Sequence, residues 1–522
     1  MAEALAAAPA SHGLRKWAIV FTASLAAMLE IIDTNIVNVA LVEIQGNLGA
    51  TLAEVGWVVT GYAVANVVVI PMTAWLGDLF GKKSYFIFSL VAFTAASVLC
   101  GVSSNLYMLI VARILQGFGG GGLLAKAQSI LFENFAPEEQ GMAQAIFGVG
   151  VIAGPAIGPT LGGYLTDTLG WRWIFFINLP VGLFAAFMAQ TFLPEDDPDT
   201  KKPGSIDWPG ILLLGLGLIC LQILLEEGQS EEWFESRFIV LMAVLAGAGL
   251  ILFVFHELRA DHPVVDLRVL RYSSVSAGSI YSMVLGMGLY GALFAIPVFA
   301  QSYLHFTATQ TGELLIPGAL ASAVTMILLG RVIGKMDARV VIAGGSIFTA
   351  VVMYMFADIN PATSEKDLYW PLIFRGVATV MMFLPLSLAT LSPVPKKDIA
   401  SASGFYNLTR QMGGSIGIAT MTTILAHRQA VHRANLAERI TEFSTATQER
   451  LAAMTHFFMN SGLDPDSARQ KALGMLDGIL NGQAAILSFA DIFRLVGILF
   501  LISLPLIFFL GKGGKAKGGP AH

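Results

Sequence analysis

The segment WAIVFTASLAAMLEIIDTNIVNVALV, residues 17–42, decides how the rest of the chain is organised. Its length and apolar composition suit a helix that crosses a bilayer, which needs about 20 such residues. Two carboxylates interrupt it, and Glu30, Asp33 and Thr34 are spaced so that they share one helical face. A carboxylate at mid-membrane depth costs about 2.5–3.5 kcal/mol on insertion scales and therefore indicates function. The alternative is a structural carboxylate held by a neighbouring helix.

Composition indicates that the whole chain is a polytopic membrane protein. Of its 522 residues, 55% are hydrophobic and 13% are charged, whereas about a quarter of the residues in soluble chains are charged. The net charge of −5 says little about partners, and nothing in the sequence suggests nucleic acid. Cys100 and Cys220 both fall in apolar segments, so we expect buried thiols and neither a disulfide nor a metal pair.

Apolar segments of similar length recur along the chain in groups of six, two and six. The polar stretch that begins at Pro194 is the clearest change in composition and separates the first group from the rest. These segments predict an all-α polytopic membrane protein with fourteen transmembrane helices. The predicted parts are a first six-helix bundle (1–193), a linker with two further transmembrane helices (194–271), a second six-helix bundle (272–511) and a tail (512–522).

The positions of Lys and Arg in the short loops predict the orientation of the chain. Most of them fall on the side that holds both termini, whereas the opposite short loops hold Arg172, Arg237 and Lys366. Short loops rich in Lys and Arg stay on the cytoplasmic side of a membrane. Both termini are therefore expected in the cytoplasm.

One loop on the outer side is long, running from about His427 to Ser488. Apolar residues recur in it at helical spacing, and a break and restart signal lies at Ser461–Asp466. The pattern predicts a helical hairpin, and a continuous helix over Ala426–Met459 would extend about 50 Å. The loop is either a connector or a docking element for a partner; its length favours docking, since structureless loops of this size are uncommon.

Arg113, in the fourth apolar segment, is predicted to lie at the depth of Asp33. At about 1.5 Å per residue, Asp33 lies about 24 Å from the inner face of the membrane and Arg113 about 10 Å from the outer face. In a core about 30 Å thick these depths agree within about one helical turn. We expect Arg113 to hold a carboxylate of the first segment ionised, so that protonation releases the pair. The alternative is a permanent ion pair.

Several stretches carry patterns that are typical of one family. The turn after the second segment contains GDLFGKK, residues 77–83, and the fourth segment contains RILQG, residues 113–117. The fifth contains GVIAGPAIGPTLGG, residues 150–163, whose glycines form a ridge that lets another helix approach closely. Together with residues 33–41, 171–182 and 405–417, these patterns resemble the major facilitator superfamily and most specifically its fourteen-span drug:proton antiporter branch.

The resemblance implies a fold of two six-helix bundles with two extra helices between them, and alternating access to a central site. It implies that the loop after the second segment latches helix ends and that the glycine ridge acts as a hinge and a seal between the halves. The residues concerned are Asp78, Gly81, Lys82, Gly154, Pro155, Gly158, Pro159 and Gly162.

The resemblance also implies where the protein works and with what. We expect a bacterial inner-membrane protein that uses the proton gradient, with no bound cofactor or metal. Its partners would be hydrophobic small molecules, membrane lipid and, through the outer hairpin, a periplasmic adaptor protein that connects to an outer-membrane channel.

The predicted proton-coupling residues are Glu30, Asp33 and Arg113. Position along the apolar segments alone suggests the substrate-binding residues, which are Asn38, Tyr62, Met283, Met287, Tyr290, Phe294, Phe383 and Tyr406. Arg375 and Arg410 lie in later segments and are expected to face the cavity or the boundary between the halves. For each of these residues the alternative is a packing role.

The predicted function is proton-coupled export of hydrophobic drugs or toxic compounds, cationic ones included. Two alternatives share most of these features: a dedicated exporter of one metabolite or fatty acid, and a membrane scaffold or sensor that transports nothing. The paired acids argue against the scaffold. A membrane enzyme is disfavoured because no nucleophile–base set appears, and ATP drive is disfavoured because no phosphate-binding loop appears.

Overall fold

The computed structural model describes residues 9–196, 206–304, 306–441 and 443–510, and this part of the chain is helical, with no strand. The linker residues 197–205 and the tail predicted at 512–522 lie outside the described residues. The first half contains α1 (Pro9–Leu48), α2 (Leu52–Phe80), α3 (Lys82–Gly101), α4 (Leu106–Gly120), α5 (Leu123–Asn134), α6 (Pro137–Leu169), α7 (Trp173–Phe176) and α8 (Asn178–Phe192).

Two middle helices and a second half follow. The middle helices are α9 (Trp208–Glu227) and α10 (Arg237–Glu257). The second half contains α11 (Ser273–Tyr303), α12 (Ala308–Val332), α13 (Ala338–Phe356), α14 (Glu365–Leu391), α15 (Ile399–Ala437), α16 (Thr445–Asn460) and α17 (Pro465–Ser503). The pair α4 and α5 forms one span, as does the pair α7 and α8, so the elements follow the six, two and six grouping of the sequence.

Local sequence signals fix several helix starts. Thr51 caps α2 through a reciprocal capping box with Glu54, and Asp464 caps α17 by accepting from two backbone N–H groups. Pro137 and Pro465 occupy the first positions of α6 and α17, where a missing N–H costs nothing. These short-range signals set the element boundaries before any packing is considered.

Thirteen spans in the described residues are long and apolar enough to cross a membrane, which confirms the all-α membrane fold. The fourteenth expected span belongs to α15, which carries polar residues such as Asn407 and Arg410 and is less apolar than the others. Both side chains are buried, and α15 packs along α11, α2 and α5. Its polarity is therefore directed into the bundle and away from lipid.

The long loop near residues 427–488 is helical, but not as one continuous rod. The helix α15 ends at Ala437, and α16 begins only at Thr445, packing against the first part of α17. The segment Ala426–Met459 is thus interrupted, and the length expected for a continuous helix does not apply. Because the spans alternate in direction, this hairpin lies at one face of the bundle, the hairpin face, and the start of α1 lies at the other, the terminal face.

The two halves meet most extensively along two pairs of helices. One pair is α6 with α12, and the other is α2 with α15. The middle helix α9 packs beside α2 and α15 and contacts both halves: Glu227 accepts from Thr60 of α2 at 3.1 Å, and Gln222 donates to Ser415 of α15 at 2.9 Å. The helix α9 therefore lies beside the bundle and bridges its halves, and α10 packs against α9.

A chain of neutral polar side chains, the polar seam, joins the halves near the terminal face. Gln128 of α5 accepts from Asn407 of α15 at 2.7 Å, and Gln144 of α6 accepts from Ser387 of α14 at 3.2 Å. Further along, Ser392 donates to Gln140 across the same boundary. The halves are closed against each other at this face.

Glycines allow α11 and α15 to cross at backbone contact, and this crossing gives a stability prediction. A Cβ atom at Gly413 would lie 2.1 Å from the carbonyl oxygen of Met283, which is backbone and cannot rotate away. We expect Gly413→Ala to lower the free energy of unfolding by about 1–3 kcal/mol through overpacking. Thermal melting of the purified protein measures this. The control Gly215→Ala adds a Cβ with nothing within 4 Å, and equal melting temperatures for both variants would contradict the packing argument.

Candidate functional site

Asp33 and Arg113 form a buried ion pair between α1 and α4. Arg113 Nη1 lies 2.6 Å from Asp33 Oδ2, and their side chains are 1% and 0% exposed, so the depth comparison from the sequence is confirmed. Asp33 Oδ1 also accepts from Nε2 of Gln116 and Nδ2 of Asn178, each at 2.8 Å. Arg113 Nε donates to the carbonyl of Val58 at 3.1 Å. The carboxylate has three donors, as a buried charge requires.

Glu30 lies on the same helix nearer the terminal face. Its Oε1 accepts from Nδ2 of Asn66 at 2.9 Å, and its Oε2 accepts from the backbone N–H of Leu124 at 2.8 Å. Arg410 of the second half is close enough to interact with it electrostatically. Both acids of the first span therefore point into the protein and not toward lipid. Asp33 lies within the first half, and Glu30 lies near the boundary between the halves.

The hydrogen bond from Leu124 to Glu30 exists because the fourth span is broken. Gly122 separates α4 from α5 with a left-handed φ of 85°, and a Cβ there would lie 2.0 Å from Thr73 Cγ2. The break exposes the first N–H groups of α5, which have no partner within the helix and favour a negative charge. Glu30 supplies that charge. The sequence predicted one continuous fourth span and missed this junction.

The glycine ridge of α6 packs against the stretch of α1 that carries the acids. A Cβ at Gly154 would lie 2.5 Å from Ile31 Cγ2, and one at Gly158 would lie 2.9 Å from Asn35 Cβ. Gly162 faces Ile36 in the same way. The ridge therefore holds two helices of one half together, and the expectation that it seals the two halves is wrong for the glycines. The contact with α12 comes from other faces of α6.

A cavity lies between the halves, at the level of the acids. Two helices of the first half and four of the second contribute to it. The lining residues are Ile31, Val151, Ile152, Pro155, Ala156, Leu289, Tyr290, Leu315, Gly318, Ala319, Ser322, Arg375, Gly376, Thr379, Phe383 and Arg410. Most of them are apolar, as is usual for small-molecule sites.

Four of the residues expected at the cavity line it: Tyr290, Phe383, Arg375 and Arg410. The other substrate-binding candidates do not. The ring of Tyr62 packs 4.2 Å from the guanidinium carbon of Arg113 inside the first half.

The remaining candidates have other surroundings. Met283 and Met287 present their backbones to glycines of α15, and Tyr406 is completely buried beside Arg410. Asn38 is exposed and Phe294 is half-buried, and neither is among the lining residues. Position along a span fixed the depth of these residues but not the helical face on which each lies.

The loop motif after α2 ties helix ends together within the first half. Lys82 Nζ lies 2.9 Å from Glu133 Oε2 at the end of α5. Gly81 adopts a φ of 93°, and a Cβ there would lie 2.3 Å from Asp196 Oδ2. Asp78 has no hydrogen bond or ion pair with the described residues, but it interacts electrostatically with Lys82 and Lys126. The hydrogen bonds of the expected latch come from the cations and from Asp196.

Asp196 is the acid that completes this latch. Burial acts to raise the pKa of its carboxyl, but hydrogen bonds from the backbone of Lys83 and from Ser84 outweigh burial and leave the pKa below its usual value. A lowered pKa means that the latch contributes stability at neutral pH and loses it as the pH falls through the folded-state value.

Three residues near the acids were not predicted, although the sequence contained a signal for each. Gln116 and Asn178 bind Asp33, and Asn66 binds Glu30. All three are amides within apolar spans, where an unpaired polar group is costly and therefore marks a partner. The sequence alone does not show which carboxylate each amide binds.

A separate polar cluster lies where α9 begins and α10 ends. Asp207, His256 and Glu257 each place one ligand atom within 4.8 Å of the others, a spacing that could hold a metal ion. His256 Nε2 bonds Asp207 Oδ1 at 2.8 Å, and the backbone N–H of Val265 donates to Glu257 Oε1 at 2.5 Å. These contacts hold the two helix ends and the following loop together, away from the cavity.

Comparisons with known proteins agree with this architecture. The family model for the Major Facilitator Superfamily matches residues 23–418. The multidrug export protein EmrB of Escherichia coli K12 is 34% identical over 504 residues, which cover 96% of each chain. The fatty acid resistance protein FarB of Neisseria gonorrhoeae is 32% identical over 498 residues, 95% of this chain and 96% of that one.

A solved structure supports the fold independently. The human organic anion transporter MFSD10 superposes with a TM-score of 0.56 at 12% identity, covering 93% of this chain and 99% of that one. Two helical bundles, a cavity between them and buried charges at its level define a membrane transporter. The chain belongs to the Major Facilitator Superfamily.

Proposed function

We propose that this protein exports hydrophobic compounds across the bacterial inner membrane by alternating access, driven by the proton gradient. The hairpin face would be the outer side, and both termini would be cytoplasmic. The observation that carries the proposal is the position of Glu30, between a broken helix and the boundary of the two halves. The export names of the relatives, multidrug for EmrB and fatty acid resistance for FarB, support the direction and the kind of substrate.

Proton uptake at Glu30 would act through α5. The ionised carboxylate accepts a hydrogen bond from Leu124 at the start of α5, and Gln128 on the same helix bonds Asn407 of the second half. Protonation removes the charge that strengthens the bond to Leu124. A change at the start of α5 is thereby passed to the polar seam, whose opening would admit substrate from the cytoplasm.

Asp33 and Arg113 would have a different part. Their ion pair is fully buried and its carboxylate already has three donors, so the permanent ion pair, one of the two possibilities left by the sequence, fits the geometry. In this proposal the pair fixes α1 against α4, and Glu30 carries the proton.

The hairpin would serve as the docking element for a periplasmic adaptor. Phe443 and Phe457 are 86% and 64% exposed on it, and exposed aromatic side chains are favoured anchors in protein interfaces. Through the adaptor the exporter would connect to an outer-membrane channel.

Transport by purified protein in liposomes tests the proposal. Substrate is added to the medium outside the vesicles, and a proton gradient is imposed across their membrane. We expect uptake of hydrophobic drugs with matching proton release, and no uptake after a proton ionophore is added. A substrate panel in a host that lacks its own pumps separates broad export from export of one metabolite. Drug movement without proton movement would contradict the coupling. If neither the drug nor protons move, the result would favour a scaffold or sensor.

A further inference from the structure

The charged residues that line the cavity are all positive. Among the residues that line it, two are arginines, Arg375 and Arg410, and none is an aspartate or a glutamate. The rest are aliphatic, aromatic, small or hydroxyl-bearing side chains. Within a membrane protein an ionisable side chain that faces a cavity is normally paired, because an isolated charge at this depth is costly.

Arg375 lacks any such pair. It projects from α14 into the cavity and forms no hydrogen bond or ion pair with the described residues, and its Nη1 is fully buried. A guanidinium presents five N–H donors and remains charged. An arginine held in this position without an acceptor from the protein is an incomplete site.

Arg410 is held in place but is also incomplete. It donates to the side chain of Asn407, and its guanidinium carbon lies 5.2 Å from the ring centre of Phe383. Its Nη1 is buried without a partner. The amide and the ring orient the guanidinium and leave one edge of donors unused.

The nearby carboxylates are already engaged. Both oxygens of Glu30 accept hydrogen bonds, from Asn66 and Leu124. Asp33 is bound to Arg113 within the first half. Glu30 interacts electrostatically with Arg410, but neither acid is among the residues that line the cavity. A bound molecule can therefore supply the hydrogen-bond acceptor that Arg375 and the Nη1 of Arg410 lack.

We propose that the cavity binds an amphipathic organic anion, with a carboxylate or sulfonate on Arg375 and Arg410 and an apolar body against α6 and α12. Guanidinium groups recognise such oxyanions with short, charge-assisted bonds. Ile152, Pro155, Leu315 and Ala319 provide the apolar wall. This inference deepens the proposed export function, on which it rests, and it replaces the cationic substrates expected from the sequence with substrates of the opposite charge.

Binding measured in nanodiscs of phosphatidylcholine tests the sign of the charge. The probe is 11-(dansylamino)undecanoate, compared with its methyl ester and with an alkylammonium analogue of equal length. We expect the carboxylate to bind most tightly, and Arg375→Gln to weaken it about 10- to 100-fold, the effect of losing one hydrogen bond to a charged group. Arg375→Lys should recover part of the loss, because it restores the charge without the fork of donors.

Controls separate the site from general charge effects. Arg331→Gln removes an equal charge from an exposed position on α12, outside the lining, and should leave binding unchanged. Arg410→Gln should weaken binding as Arg375→Gln does; because Arg410 also bonds Asn407, its folding is checked by thermal melting. If Arg410→Gln does not fold, Arg375→Gln still decides, since no described partner depends on it.

The outcomes distinguish this inference from the export proposal. Equal binding of ester, ammonium and carboxylate, or an unchanged dissociation constant in Arg375→Gln, would overturn the anion site even if neutral drugs are exported. Carboxylate preference without any transport would support the site and overturn the export function. Replacing part of the lipid by phosphatidylglycerol identifies the source: competition that depends on Arg375 supports the anion site and assigns it to a lipid phosphate, and no competition assigns it to a soluble anion.

Discussion

Glu30→Gln is expected to abolish proton-driven export while the protein still folds and binds substrate. The substitution keeps the length and an acceptor oxygen for the N–H of Leu124, but it removes the group that can take up a proton. Asn66 can rotate its amide so that its oxygen accepts from the new side chain. In liposomes we expect substrate-dependent proton flux at the level of protein-free vesicles.

Two measurements make this result specific to the proton. Exchange of labelled substrate across the membrane without a proton gradient should persist in Glu30→Gln, because alternating access itself is not removed. Glu43→Gln changes another acid of α1, close to the hairpin face and outside the cavity lining, and should transport normally. Proton flux at the parent level in Glu30→Gln would exclude Glu30 as the proton carrier.

Asp33→Asn is expected to destabilise the protein, in contrast to Glu30→Gln. It removes the charge that balances Arg113, which is 1% exposed and has no other carboxylate in contact among the described residues. Breaking a buried ion pair by removing one partner costs about 3–5 kcal/mol, since the remaining charge stays buried. We expect a lower melting temperature and less folded protein in detergent.

The double variant Asp33→Asn, Arg113→Gln tests the cause of that loss. With both charges removed, the amides can bond to each other and to Gln116 and Asn178, so stability should recover in large part. A double-mutant cycle isolates the pair from the effects of each single change. Additive losses from the two substitutions would show that the pair is not the source of the cost.

Much of the fold followed from hydrophobic patterning, because a span in lipid must satisfy its own backbone and is therefore long, apolar and helical. The partnership of Asp33 with Arg113 followed as well, since the rise of a helix converts sequence position into depth. The superfamily resemblance agreed with both. The glycine and proline pattern of α6 was recognised, but the glycines were expected to seal the two halves, whereas they pack against α1 of the same half.

Two features of the site could not be predicted from the sequence: how each helix is rotated about its axis, and where a span is interrupted. Their depth suggested that Tyr62 and Met283 lie near the cavity. In the structure Tyr62 packs against Arg113 and Met283 packs against α15, so neither lines the cavity. The junction at Gly122 was hidden because a single glycine inside an apolar run resembles the many packing glycines of this chain. Arg375 and Arg410 could be placed in spans, but only the three-dimensional arrangement shows that they face one space without an acid between them.

The polar seam is built from Gln128, Asn407, Gln144 and Ser387, none of which carries a charge. Dissolved salt screens charged groups, so contacts among amides and hydroxyls are largely untouched by it. The strength of the contact between the halves at the polar seam should therefore be the same at low and at high salt concentration. We expect this face of the protein to remain closed when a cell passes through osmotic shock.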